Sequence, residues 1–136
     1  MTDTHKYVAF GGARGGGKSW AVRVKAVLLS VKFGGIKILI IRKTLTELRN
    51  NHISPLVSVT NGIASYNDSK KELLFKNGSV IHFGYCACQA DLTQYQGSEW
   101  DVIFIDEATQ LKEEWFDELK VTVRGVNDFP KRIYLT

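Results

Sequence analysis

The sequence predicts an α/β fold: a mostly parallel sheet flanked by helices in three layers, with an antiparallel hairpin added to it. Three observations lead there. A short apolar strand runs into a glycine turn and then a helix, a second strand is too apolar to face water on either side, and a later apolar strand ends on two carboxylates. The 136 residues fit one domain, and with 44% of them hydrophobic there is enough material for a core. Charged residues form no long single-sign block and the glycines cluster at turn-like positions, so a globular chain is expected. No run approaches the roughly 18 apolar residues of a membrane span, and the N-terminus lacks the basic-then-apolar layout of a secretory signal. A cytoplasmic location without membrane contact is therefore expected. A net charge of +4 is compatible with a polyanionic partner but does not identify one.

Residues 7–10 are an aromatic and β-branched run that enters Gly11-Gly12, the pattern of a buried strand before a glycine turn. From Lys18 the apolar positions Val22, Ala26, Val27 and 29–33 keep a helical period until Gly34-Gly35 stops it. Residues 36–41 form an almost uninterrupted aliphatic strand, so the order is that of a βαβ unit with parallel strands. Thr44 with Glu47 three residues on is a capping pair for another helix, expected to fade before Pro55. The stretch after it has no decisive period.

Residues 72–75 and 80–83 are β runs about Asn77-Gly78, a pair that favours a type I′ turn, so a hairpin is expected. Residues 102–105 are a second fully apolar strand, 112–123 read as a helix carrying Trp115, Phe116 and Leu119 inward, and 132–135 begin another strand. His5, His52 and His82 lack a metal-binding spacing and read as ordinary surface or strand residues. Cys86 and Cys88 fall on one face of a strand, too few ligands for zinc, and read as reduced thiols. Trp20 and Tyr7 flank the glycine loop and are read as core aromatics.

Chemistry concentrates in two segments. Gly12-Ala13-Arg14-Gly15-Gly16-Gly17-Lys18-Ser19 satisfies G-x-x-x-x-G-K-[ST] between a strand and a helix, the context that this motif needs. Backbone N–H groups must curl around a β-phosphate, which leaves no room for Cβ atoms, and the following helix adds its positive end. Lys18 would reach the β- and γ-phosphates, and the Ser19 hydroxyl would ligate Mg²⁺. Arg14 either contacts the γ-phosphate, where it would stabilise transition-state charge, or projects into solvent; the first reading is preferred.

The second segment, Val102-Ile103-Phe104-Ile105-Asp106-Glu107, delivers two carboxylates at the C-terminal end of a strand, where ligands of open α/β sheets bind. Asp106 would hold Mg²⁺ through water and Glu107 would polarise the attacking water. An acidic pair in this position also caps helices; beside the first motif the catalytic reading is favoured. The expected set is then a P-loop NTPase fold of the RecA-like (ASCE) type with ATP and Mg²⁺ as cofactors. Its catalytic residues are Glu107, Lys18 and Arg14, and its metal ligands Ser19 and Asp106.

With both motifs placed, the chain resembles the N-terminal ATPase domain of a phage terminase large subunit, the motor that packages DNA into tailed-phage heads. The stretches that carry the resemblance are 10–19, Ile38-Leu39-Ile40-Ile41-Arg42-Lys43, the hairpin 74–83, and Tyr95-Gln96-Gly97 leading to Phe104-Ile105-Asp106-Glu107-Ala108. An arginine inside the phosphate loop, here Arg14, is frequent in that family. The resemblance implies an ATPase domain over 1–136 that is C-terminally incomplete, with Leu135-Thr136 as the first residues of a coupling element and without the nuclease domain. It implies double-stranded DNA, the portal protein and the terminase small subunit as partners, a homo-oligomeric ring, and the bacterial cytoplasm as location.

Family members often have Arg-Gly before the acidic strand. Gln96-Gly97 stands here, which puts a trans-acting arginine at that position in doubt and leaves Arg124 as a substitute or a surface residue. Lys70, Lys71 and Lys76 around the hairpin either touch DNA phosphates or are solvated. Two other readings stay open. One is a different P-loop ATPase such as a RecA-like helicase, and the other is a nucleotide-binding module without turnover. Weak or absent hydrolysis by the 136-residue chain alone is expected.

Overall fold

Strands that are buried on both faces mark the centre of the sheet. In the computed structural model, which describes residues 7–9, 16–85, 100–105 and 132–135 (the first three, 16–19 and the last four by backbone only), these central strands are β2 (Lys37–Arg42) and β6 (Val102–Ile105). Their alternate residues form one core face: Ile38, Ile40, Val102 and Phe104 pack with Ile81 and Phe83 beneath the helices. Leu39, Ile41, Ile103 and Ile105, which the strand pleat turns to the other side, are also fully buried. A sheet covered on both faces is what three layers require.

The remaining described elements are β1 (Tyr7–Ala9), α1 (Gly16–Lys32), α2 (Leu45–Leu48), a π-helical turn (Arg49–Ile53), α3 (Ser54–Val59), β3 (Ala64–Asn67), β4 (Glu72–Phe75), β5 (Val80–Tyr85) and β7 (Arg132–Leu135). The strand order is β1-β7-β6-β2-β5-β4-β3. β1, β7, β6, β2 and β5 run parallel, whereas β4 and β3 add antiparallel to one side. The expected parallel βαβ unit is present, but β7 and β6 lie between its two strands, a spacing that local sequence pattern does not encode. The expected helix at 112–123 and the two cysteines lie outside the described residues. Among the described residues no helix is long and apolar enough to cross a membrane.

Register is fixed by polar contacts at the starts of the strands. The backbone N–H of Lys37 donates to Asp101 Oδ2 at 2.9 Å, and the Asp101 N–H donates to the Lys37 carbonyl at 2.9 Å. Asp101 is 3% exposed, so these bonds are shielded from water and hold β6 against β2 without slippage. On the other side of β2, the Val80 N–H donates to the Ile36 carbonyl.

Helix α1 ends where the glycine pair ends it, with Gly35 at φ +91°. Its last carbonyls are met by the β4–β5 hairpin. Asn77 Nδ2 donates to the Ser30 carbonyl at 2.8 Å, and Ser79 Oγ lies 2.7 Å from the carbonyls of Ser30 and Phe33 while accepting from the Gly35 N–H. Gly34 is needed at this junction, because a Cβ there would stand 3.1 Å from the Asn77 carbonyl oxygen.

The hairpin forms as expected, but its turn differs. Gly78 has φ +92°, Asn77 is not left-handed, and the Phe75 N–H reaches the Ser79 carbonyl while the Gly78 N–H returns to Phe75. A type I′ turn requires positive φ at both central residues, so this is a three-residue loop, 76–78, closed by a left-handed glycine. Leaving Asn77 right-handed lets its amide bond to α1.

Three other expectations change. The Thr44 cap is present, its Oγ1 accepting from the Glu47 N–H at 3.2 Å. The helix it starts does not fade before Pro55; it widens into the π turn and continues as α3 with Pro55 in the first turn, where a missing N–H is tolerated. Trp20 is 61% exposed rather than in the core, because the buried stripe of α1 runs through Val22, Ala26 and Ser30. His52 is fully buried within the π turn, not at the surface.

Ser79→Ala removes the hydroxyl that serves Gly35 and the last carbonyls of α1. Unfolding by urea should show a loss of about 2 kcal/mol, the cost of leaving buried backbone groups unsatisfied. A loss below about 0.5 kcal/mol, typical of a surface substitution, would mean that water replaces the hydroxyl.

Candidate functional site

A strand, a loop and a helix place the first motif. β1 ends at Ala9 and α1 starts at Gly16, so the short connection sets the N-terminus of α1 at the C-terminal edge of the sheet. Gly16, Gly17, Lys18 and Ser19 form the first turn of a 17-residue helix. That turn contains no acidic residue, which leaves the positive end of the helix dipole open to an anion. Gly12, Ala13, Arg14 and Gly15 lie outside the described residues.

The acidic motif approaches the same edge. Ala9 pairs with Leu135 and Leu135 with Ile105, so the last described residues of β1 and β6 stand level, separated by one strand. At the usual interstrand spacing the two chains leave the sheet roughly 10 Å apart. Asp106 and Glu107 follow Ile105 directly and lie, like Gln96 and Arg124, outside the described residues. The arrangement brings the exits of the two motifs together on one side of the molecule. Ligands of parallel sheets gather at such an edge, beyond the carboxyl ends of the strands.

One residue at this edge belongs to neither motif. Arg42 closes β2, directly beside β6 in the sheet, and is 9% exposed. Its Nε lies 3.5 Å from Glu47 Oε2. Glu47 thus caps only half of its own helix: its N–H serves Thr44 while its carboxylate turns to Arg42. A cation ending a fully apolar strand run was visible in residues 38–42, although nothing in the sequence marked its partner.

Other candidate groups separate from the site. Lys70 and Lys71 precede β4 and Lys76 follows it, so the strand's length, roughly 14 Å, lies between them. Lys71 Nζ donates to the Asp68 carbonyl. Trp20 instead borders an apolar trough of about 270 Å³ with Val24, Leu28, Pro55 and Val59. Its lining is apolar apart from Arg23, whose guanidinium donates to the Asn51 carbonyl. Among the described residues no group of three or more His, Cys, Asp or Glu could hold a metal.

His82 lies on β5 against the ring of Trp100, with centroids 5.5 Å apart, and its Nδ1 is 3.7 Å from Glu72 Oε2. Burial holds its pKa below the usual 6.5, outweighing the opposing pull of Glu72, and Lys71 pushes it in the same direction as burial. The unfolded chain therefore takes up this proton first, and the folded state loses stability as pH falls below about 6.5. Urea midpoints at pH 7.5 and 5.5 should differ less in His82→Gln than in the parent chain. Equal differences would remove His82 from the acid response.

Comparison with known proteins gives the following. Residues 4–136 match the sequence profile of the phage terminase large subunit family. No curated protein matches the chain by sequence. The fold is similar to the large terminase of a thermophilic bacteriophage, with a TM-score of 0.77 and 18% identity over 96% of this chain and 33% of that one. That terminase has also been solved with ADP and with ATP-gamma-S. The large terminase ATPase domain of Thermus phage P74-26 gives 0.65 at 17% identity over 96% of this chain and 58% of that one. The N-terminal domain of the DNA packaging ATPase from bacteriophage phi29 gives 0.60 at 18% identity, over 96% and 71%. The chain spans about a third of the length of the thermophilic phage terminase.

Proposed function

Because this chain belongs to the phage terminase large subunit family, we propose that it is the ATP-hydrolysing part of a motor that drives double-stranded DNA into a procapsid. The observation that carries the catalytic part is the level exit of β1 and β6 at one sheet edge, with the N-terminus of α1 opening there. The family match favours this reading over a RecA-like helicase. The nucleotide complexes of the thermophilic phage terminase support ATP as the bound nucleotide.

The residues fit a magnesium nucleotide. In this reading the backbone N–H groups of Gly12, Ala13, Arg14, Gly15, Gly16 and Gly17 hold the β-phosphate, aided by the acid-free first turn of α1. Lys18 neutralises charge on the β- and γ-phosphates, and Arg14 does so on the γ-phosphate as the bond to it breaks. Ser19 and Asp106 would hold Mg²⁺, which supplies further charge neutralisation when bound. Glu107 accepts a hydrogen bond from the attacking water and orients it. Double-stranded DNA, the portal protein, the small subunit and neighbouring copies in a ring are the partners that this reading requires.

Lys18→Ala should weaken ATP binding roughly 10- to 100-fold, the worth of one charge-assisted contact. Multiple-turnover hydrolysis by the 136-residue chain alone is expected to be weak, so Glu107→Gln is read under single turnover with protein in excess, where binding should be retained and hydrolysis should fall at least about 10²-fold below the parent. Full affinity in Lys18→Ala, or undiminished hydrolysis in Glu107→Gln, would contradict the assignment.

A further inference from the structure

A hydrogen-bonded path that neither motif includes joins helix α1 to the end of β2. It originates at Pro55, which has no N–H to offer the carbonyl of Asn51 four residues back. The helix widens at this point, the Ser54 N–H bonding Arg49 five residues back. The Asn51 carbonyl instead receives a hydrogen bond from the guanidinium of Arg23. Arg23 stands on α1 four residues after Ser19, about 6 Å along the helix axis.

From Asn51 the path continues to the sheet. Asn51 Nδ2 donates to the Glu47 carbonyl at 2.9 Å, and the Glu47 carboxylate meets Arg42 at the end of β2. β2 is the direct neighbour of β6, whose next residues are Asp106 and Glu107. The first turns of α1 and the acidic strand are therefore linked on the helical side of the sheet, independently of the phosphate loop.

We infer that Arg23 is a positioning residue: through Asn51 and Glu47 it fixes the helix that bears Lys18 and Ser19 relative to the strand edge that delivers Asp106 and Glu107. The inference rests on the nucleotide site proposed above. Its chemical consequence concerns the γ-phosphate. In that reading the β-phosphate is held by the loop and by the N-terminus of the helix that continues it in sequence, so a small shift of α1 against the sheet costs that contact less. A γ-phosphate with its magnesium must satisfy groups from both sides at once, so the same shift loses a charge-assisted contact worth roughly 10- to 100-fold in affinity.

The test uses Arg23→Ala and Arg23→Lys in the full 136-residue chain, with calorimetric affinities for ADP and for Mg²⁺-ATPγS. For Arg23→Ala, ADP affinity should stay within about threefold while ATPγS affinity falls about tenfold or more. Lysine, which keeps one charged donor for the Asn51 carbonyl, should restore most of the loss.

Hydrogen exchange without nucleotide supplies a second readout. Arg23→Ala should accelerate exchange in the first turns of α1 and in 49–54, and leave 72–85 unchanged. Unchanged affinities for both nucleotides overturn the inference. Equal losses for both, with exchange rising along the whole chain, also overturn it, since Arg23 would then serve general stability. If the parent chain binds neither nucleotide, the functional proposal fails, and unchanged exchange in α1 and 49–54 separately overturns the linkage.

Discussion

Parallel pairing of β1, β7 and β6 in one register is the constraint from which the site follows. Ala9, Leu135 and Ile105 stand side by side, so the glycine loop and the acidic pair leave the sheet at the same height. A slip of one residue would turn every side chain of β6 to the opposite face and carry Asp106 and Glu107 with it. Such a slip would also bring Ile103 and Phe104 into each other's places and break the paired bonds between Asp101 and Lys37. Core packing and the register bonds therefore protect a geometry whose use lies beyond the end of the strand.

Helix α1 carries this geometry between its two ends. At its start, a turn without acids presents N–H groups that have no partner within the helix, and a positive dipole, to the sheet edge. At its finish, Asn77 and Ser79 satisfy carbonyls that would otherwise be buried without donors. The hairpin belongs to the same sheet through β5, which pairs with β2. A helix held at its far end by the sheet has a defined position at its near end, where Gly16 opens its first turn.

What the sequence disclosed depended on range. The aliphatic run that became β2, the glycine stop after α1, the Thr44 cap and the two hairpin strands are local signals, and each appears where pattern placed it. The position of β7 between β1 and β6 is not local, and no periodicity records it. β3 escaped because Ala64, Ser65, Tyr66 and Asn67 alternate between half-buried and exposed without aliphatic residues; Tyr66 holds the strand by packing edge-on against Phe83. Pro55 misled because proline in a helix interior costs a hydrogen bond, yet the π turn places it at the start of a new helical segment. The two motifs were legible as motifs, whereas Arg23 and Arg42 acquire meaning only from partners distant in sequence or on another element.

In the function proposed for this chain, the phosphate cradle and the acidic strand share one metal. The most direct measurement is Mn²⁺ affinity in the presence of ATPγS, read by electron paramagnetic resonance, for the parent chain and for Asp106→Asn. The account expects binding weaker by about 10- to 100-fold in the variant, as when a metal-orienting carboxylate is lost, with metal-free ADP binding unaltered. Equal Mn²⁺ affinity in the two proteins would contradict it, because Asp106 would then stand away from the metal that the loop-bound nucleotide holds.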